Sequence, residues 1–471
     1  MPNPSIARSR RSIMVLATLF AVAQAPALFG CVDLLGDYEP SGCDRPDCVA
    51  SWSFRFGDAD DQQANAVAIT QDDGVVIVGR FRGTLDFGVT PLKSAGEHDA
   101  FVARLDRRGA VVWSLAFGGP GADGATSVAV DHAGDILVSG FFSSTAVFAG
   151  QSLTATAGAD AFVVKLTDAG KLRWAKRFGN DYDQLALGVA PGNHDEVLVT
   201  GCMSGYMDIG LGAPLTSVDS SDAFTLRLDP DGNSLWGGSG GGVGTDCGYR
   251  IVADADNNML VAGAFESSLT VDQIYYSKGQ KDIFVAALTP QGTPLWTRTY
   301  GGLNDDFPGS LLSEPWGEVV LAGSYSGTVD FQGTKPLTSA ADLDPFVMTL
   351  GSAGATKWIR GLGGAEAERV VTGALDSAGD VLVAGYSGPP GSLDVDAFVS
   401  KTSRAGDFRW TTRWEGTGPT ETRGLAVDSK DDVVIVGRLS GTLRIAGRDL
   451  TSAGGDDIFI AKLGVDSVAP E

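Results

Sequence analysis

Tryptophan returns in this chain at Trp52, Trp113, Trp174, Trp236, Trp296, Trp358 and Trp410, in steps of 61, 61, 62, 60, 62 and 52 residues. Three other landmarks keep step with it. A glycine ends an apolar run at Gly79, Gly140, Gly201, Gly263, Gly323, Gly385 and Gly437. The triplet Asp-x-Phe begins at Asp99, Asp160, Asp222, Asp282, Asp344, Asp396 and Asp457. A turn glycine stands four residues ahead of the tryptophan at Gly109, Gly170, Gly232, Gly292, Gly354 and Gly406. A period near sixty residues over most of the chain means that one supersecondary unit recurs, and that no unit buries its apolar face alone.

Each unit contains four strand-like segments, for example 127–131 (a), 135–142 (b), 160–167 (c) and 171–179 (d). They are short, β-branched and aromatic, and they are separated by turns such as Asp229-Pro230-Asp231-Gly232, where proline presets φ and glycine supplies φ > 0. The 64 glycines beside 43% hydrophobic residues fit a folded, turn-rich chain. No stretch after the N-terminal leader has helical periodicity of useful length. A lone four-stranded sheet leaves two open edges and buries little. Stacking such sheets and bending the row into a ring removes the free ends. The expectation is an all-β, seven-bladed propeller of four-stranded antiparallel blades over residues 50–464, with a short tail at 465–471. The repeat begins with a lone d segment, 51–57, and ends with an a-b-c set, 425–463. The first strand is therefore expected to pair with the last blade and close the ring.

The Gly-x-x-x-Trp hairpins, the phrase Gly134-Asp135-Ile136-Leu137-Val138-Ser139-Gly140 and the phrase Asp160-Ala161-Phe162-Val163 resemble the seven-bladed propeller repeat (SBBP) family of secreted and surface-anchored bacterial proteins. The resemblance covers residues 50–463. It implies the fold and an exported protein, and it brings no catalytic residues. The hairpin from Gly170 to Trp174 also resembles the tryptophan-docking hairpin of quinoprotein-type propellers, against which the count of seven units speaks.

Residues 1–30 have the parts of a secretory signal: Arg8, Arg10 and Arg11, an apolar run from Ile13 to Phe20, and small residues before Cys31. Gln24 and Pro26 interrupt that run, which is short for a spanning helix. Leu28-Phe29-Gly30-Cys31 resembles the bacterial lipobox, which implies lipidation at Cys31 and a lipoprotein of the outer membrane, facing the periplasm or the cell surface. Residues 31–49 read as a tether. Cys43 and Cys48 lie close enough for a small disulfide in an oxidising compartment. Cys202 follows the b-strand glycine of one unit and Cys247 opens strand a of the next, so a disulfide between neighbouring blades is geometrically reasonable.

The formal net charge of −23 disfavours nucleic acid and any broad electrostatic dock on anionic lipid, leaving a lipid anchor as the membrane contact. The d–a connections carry acids at Asp61, Asp123, Asp183, Asp246, Asp306, Glu366 and Glu421. Pointing inward, these would ring the mouth of a central channel and hold a cation or a basic partner. Pointing into their turns, they would cap backbone N–H groups. Clusters at Asp58–Asp61, Asn304–Asp306 and Asp254–Asn258 offer hard oxygens for Ca2+ but lack the full calcium-loop spacing. The Asp of Asp-x-Phe is expected to be buried and to hydrogen-bond a neighbouring blade. Trp316, unmatched in other units, is a candidate platform for a sugar or peptide. His98, His132 and His194 stand in unlike contexts, and Gly237–Gly241 fits G-x-S-x-G without its strand-to-helix setting. No catalytic or metal-ligating set is assigned. The reading is a monomeric, non-catalytic binding or scaffold module at the cell envelope, with a protein or polysaccharide partner. The alternatives are a polysaccharide lyase or hydrolase on the same fold and an outer-membrane assembly scaffold. The sixth unit lacks most of its b–c insert, which should notch the rim.

Overall fold

The computed structural model describes residues 51–464. Cys31, Cys43, Cys48, the signal and tether segments and the C-terminal tail lie outside the described residues. Every regular element among the described residues is a strand. The strands form a propeller-like arrangement of small antiparallel sheets.

Five sheets of four strands stand separately. One runs Gln184–Pro191, Val197–Met203, Asp222–Leu228 and Ser234–Gly240; the next runs Cys247–Ala253, Met259–Thr270, Ile274–Leu288 and Pro294–Tyr300. Two more begin at Phe307–Ser313 and Ala367–Leu375. The fifth combines Thr420–Val427, Val433–Leu439 and Asp457–Leu463 with the first strand of the chain, Trp52–Phe56. The first two units are not separate. Their strands form one eight-stranded sheet, because Ile136–Phe148 and Gln151–Leu166 run on as a long hairpin whose tip pairs Phe148 with Phe117 and Val147 with Gly118. Seven separate blades were expected, and five are found. The cause is that a b–c insert continuing its own strands can reach the preceding outer edge.

In six units the b–c insert is a hairpin: four short ribbons such as Thr84–Leu85 with Leu92–Lys93, and two extensions of the main strands. The sixth unit passes from Val381–Gly388 to Asp396–Thr402 without one.

The b-strand glycine and the Asp-x-Phe phenylalanine form one device. They face each other across the b–c ladder, as Gly201 faces Phe224 and Gly437 faces Phe459. Beside each glycine, strand a carries a bulge, at Asn65, Thr126, Leu187, Tyr249, Gly309, Val371 and Arg423. A Cβ on Gly201 would lie 1.8 Å from the Leu185 carbonyl oxygen and 2.8 Å from the Phe224 ring. The bulge brings the inner strand close, and only a residue without a side chain fits beneath the ring.

The tryptophans serve the next unit and not their own hairpin. Trp113, Trp174, Trp296 and Trp358 donate their indole N–H to carbonyls of Asp168, Pro230, Ser352 and Arg404 at 2.8 to 3.1 Å. The turn glycine of that following unit lies flat on the ring, so Gly170 covers Trp113 and Gly232 covers Trp174. Positive φ at these glycines (74° and 79°) and the absence of a side chain are both required there.

Six of the seven Asp-x-Phe aspartates are buried and Asp396 is half-buried, but they bind their own unit, which corrects the expected bond to a neighbour. Val218 N–H donates to Asp222, Lys278 N–H to Asp282 and Ala340 N–H to Asp344. Asp160 and Asp457 also hold Arg177 and Arg55 from the outer strand of their own sheet. The core lies between sheets, as in the cluster of Val75, Ile77, Phe81 and Phe101 with Val434, Val436, Ile458 and Ile460.

Candidate functional site

The d–a connectors and the b–c inserts lie at one end of the strands, so a common face carries both. The connector acids do not converge there. What recurs is a polar residue ten positions after each tryptophan: Gln62, Asp123, Gln184, Asp246, Asp306, Glu368 and Thr420. At Asp123, one carboxylate oxygen accepts from Gly119 N–H (2.8 Å) and the other from Ser143 N–H (3.0 Å). Asp246 does the same with Gly242 and Glu266, and Asp306 with Gly302 and Ser326. Gln62 and Gln184 accept from Asp58 and Asn180 N–H and donate to the carbonyls of Arg82 and Ser204. These side chains staple the connector to the start of the insert.

Asp123, Asp246 and Asp306 are thus turn-capping groups, fully buried. Asp61 and Asp183 fall one residue before the staple and are exposed; Glu366 falls two before it and Glu421 one after. Asp61 and Asp183 still accept backbone N–H groups, from Asp456 and Ala159, while the recurring staple is found by counting ten from the tryptophan.

Where the staple is an acid, it lies beside the buried Asp-x-Phe carboxyl. Burial pushes Asp123 up to about 6 and Asp246 and Asp306 up to about 7, with Asp99, Asp222 and Asp282 adding repulsion. Where the staple is Gln62 or Gln184, the outer strand instead supplies Arg55 or Arg177 to the aspartate.

A different charged group gathers at the junction of the first and last units. Arg80 follows Gly79 in Val75–Phe81, and Arg438 follows Gly437 at the matching place in Val433–Leu439. Arg423 is the bulged residue of Thr420–Val427. Glu421 accepts from both Arg423 (2.8 Å) and Arg438, and Arg438 also holds Asp456. Burial alone would raise the Glu421 carboxyl, but the two guanidinium groups hold it below its usual range. The Nε atoms of Arg423 and Arg438 are buried without an acceptor. Burial and the repulsion of Arg423 and Arg438 lower the pKa of Arg80, which makes no hydrogen bond or ion pair among the described residues. The next inner strand presents Gly124 beside the Cβ of Arg80, whose side chain is partly buried. No sequence feature flagged these arginines, because they come from three strands and two ends of the chain.

Deeper between the inner strands, Arg250 donates to the carbonyls of Tyr249, Gly309 and Val371, tying three successive units together; burial lowers its pKa to about 10. Cys202 and Cys247 form a disulfide between the second strand of one sheet and the inner strand of the next, with Cα atoms 4.7 Å apart. Trp316 is half exposed, and the Arg404 guanidinium covers one ring face at 3.6 Å. In the three acidic clusters, Asp58 accepts from Asp60 and Thr84 N–H, and Asp254 from Asp256 and Asn258 N–H. Among the described residues, no three His, Cys, Asp or Glu side chains are grouped to hold a metal ion.

No protein-family model matches this chain. An uncharacterized WD repeat-containing protein of Acanthamoeba polyphaga mimivirus is 20% identical over 86% of this chain and 37% of its own length. The chain therefore spans little more than a third of that relative. Among solved structures, Sqt1 from Chaetomium thermophilum is 12% identical with a TM-score of 0.41, over 81% of this chain and 97% of that one. A protein of unknown function from Dyadobacter fermentans is 12% identical with a TM-score of 0.40, over 77% and 96%. The repeat, the sheet arrangement and the WD-repeat relative together describe a β-propeller repeat protein.

Proposed function

We propose that this chain is an exported, lipid-anchored propeller of the SBBP kind, closed by its own first strand, that binds a protein partner at the cell envelope through an anionic group. Closure is supported by the pairing of Trp52–Phe56 with Asp457–Leu463. It is supported equally by links across the first and last units of the kind that join other neighbours: Ser429 N–H donates to Asp73 as Ser377 N–H does to Asp431. On this reading seven repeat units surround one axis, two of them fused at their outer edges.

The observation that carries the binding role is the arginine group of Arg80, Arg423 and Arg438 on a chain of net charge −23. Arg80 makes no hydrogen bond or ion pair among the described residues and feels only the more distant Asp61 and Asp456, while the half-buried Arg423 and Arg438 share Glu421 and Arg438 also holds Asp456. Such a local reversal of charge suits a carboxylate on a partner, and the surrounding negative field rejects partners without the matching geometry. WD-repeat similarity fits a binding or scaffold role.

The test is a cross-linked pull-down from envelope extract with the protein lipidated at Cys31. The double variant Arg80→Glu/Arg423→Glu should lose the captured protein while keeping its circular dichroism. Unchanged capture removes the arginine group from the proposal. Turnover of an extracellular polysaccharide by the purified protein replaces the binding role with the enzyme alternative. Cys31→Ser should move the protein from the membrane to the soluble fraction.

A further inference from the structure

Four residues after six of the seven marker tryptophans the chain places a bulky side chain: Phe56, Phe117, Phe178, Tyr300, Leu362 or Trp414. In the fold, the aromatic members fill the gap between their own outer strand and the insert of the following unit. Phe56 meets Phe87 with ring centroids 4.8 Å apart, Phe117 meets Phe148 at 5.6 Å, and Tyr300 meets Phe331 at 5.7 Å.

Ser234–Gly240 breaks the pattern. Its residue at that place is Gly240, and the insert opposite has Val271 where others have Phe87, Phe148 or Phe331. A cavity of about 180 Å³ opens there, walled by Trp236, Val261, Leu269, Val271, Phe284 and Leu288. Backbone geometry does not demand the glycine. Gly240 has no positive φ, and the nearest neighbour of a Cβ would be the Thr270 carbonyl oxygen at 3.3 Å. Trp236 also differs from its counterparts. It leans over Gly238 and Gly292, and its indole N–H makes no hydrogen bond among the described residues. The polar side chains of the lining are Trp236, Thr225 and Ser239. The same two sheets are cross-linked by the Cys202–Cys247 disulfide, from the second strand of one to the inner strand of the next.

We propose that this cavity is a binding site for one monocyclic aromatic ring brought by a ligand, seated where neighbouring junctions use an aromatic of the chain itself. An apolar cavity of about 150 Å³ lined by aliphatic and aromatic side chains is enough to take benzene. The observed volume takes one ring with a small polar substituent, for which Trp236, Thr225 and Ser239 are the polar side chains of the lining.

The probe is 4-fluorophenol, followed by fluorine NMR on the full protein with its disulfide intact. A saturable shift is expected, abolished by Gly240→Phe, which restores the plug, and that variant should melt at a higher temperature. Val271→Phe, which copies Phe87 and Phe331 on the opposite wall, should abolish the shift as well and carries the test if Gly240→Phe does not fold. Absence of a saturable shift in the wild type, or its persistence in the filled variants, overturns the assignment. Competition by Gly-Phe-Gly-amide would show that the ring arrives on a peptide; binding of 4-fluorophenol without such competition would show a free small aromatic.

Discussion

Removing the first strand should dismantle the last sheet, and restoring the same strand at the other end of the chain should repair it. Trp52 and Phe56 are 3% and 6% exposed. Phe56 packs on Phe87, and Arg55 neutralises the buried Asp457. Losing a buried Phe or Trp side chain costs about 3–5 kcal/mol. Two of them cost roughly 6–10 kcal/mol, comparable with the about 5–15 kcal/mol that holds a whole domain together. A chain beginning at Asp58 should therefore be unfolded or aggregated at 25 °C. The two ends of the described region meet in the fold, where Gly464 N–H donates to Ser51 Oγ at 3.2 Å. A permutant that begins at Asp58 and passes from Gly464 through a copy of the Asp106–Ala110 turn into Ser51–Gly57 should unfold in guanidinium near the wild-type midpoint. Single Phe56→Ala should lie between, at about 3–4 kcal/mol of loss. Tryptophan fluorescence reads all four proteins. If the truncated chain melts cooperatively at the wild-type midpoint, the first strand does not complete the last sheet and the closed ring is wrong.

Three further outcomes follow from the same geometry. Asp246, Asp306 and Glu368 are raised to about 7, and Asp99, Asp123 and Asp222 to about 6, all by burial first. Carboxyls raised in the folded state contribute stability that is complete below their unfolded values and is lost as pH rises through 6 to 7. Melting temperature should therefore climb as pH falls from 8 toward 5, each titrating group adding a slope of at most about 1.4 kcal/mol per pH unit; Asp246→Asn should flatten the calorimetric profile, and a flat wild-type profile would show these groups hydrated. Reducing Cys202–Cys247, 45 residues apart in sequence, should lower stability by about 4 kcal/mol by the loop-entropy relation, read as the difference between guanidinium melts with and without reductant. Gly201→Ala should cost at least about 2 kcal/mol because its Cβ has a backbone oxygen at 1.8 Å, and a melting curve unchanged from wild type would refute the close approach.

Repetition made the strand pattern legible without a structure. A sixty-residue phrase said seven times averages out local ambiguity, so strand identity, turn glycines and the leading orphan strand could all be read from spacing. Register within the repeat was equally available for the staple residues, since Gln62, Asp123, Gln184, Asp246, Asp306, Glu368 and Thr420 all stand ten places after a tryptophan. Looking for acids obscured it. The same register marks Gly240 as the position where an aromatic is missing, although only the packed sheets show that a cavity results.

Contacts between units were decided by tertiary structure, because periodicity specifies what each unit contains and not which unit its side chains address. Gly170 precedes Trp174 by four residues yet lies on Trp113, since the turn of one unit docks on the sheet before it. Asp160 keeps its partners within its own sheet. Two units share one sheet because a hairpin of unusual length meets an outer edge. Arg80, Arg423 and Arg438 assemble only when the two ends of the chain are brought side by side. Their proximity depends on closing more than 340 residues of intervening chain, a long-range event that no local pattern encodes.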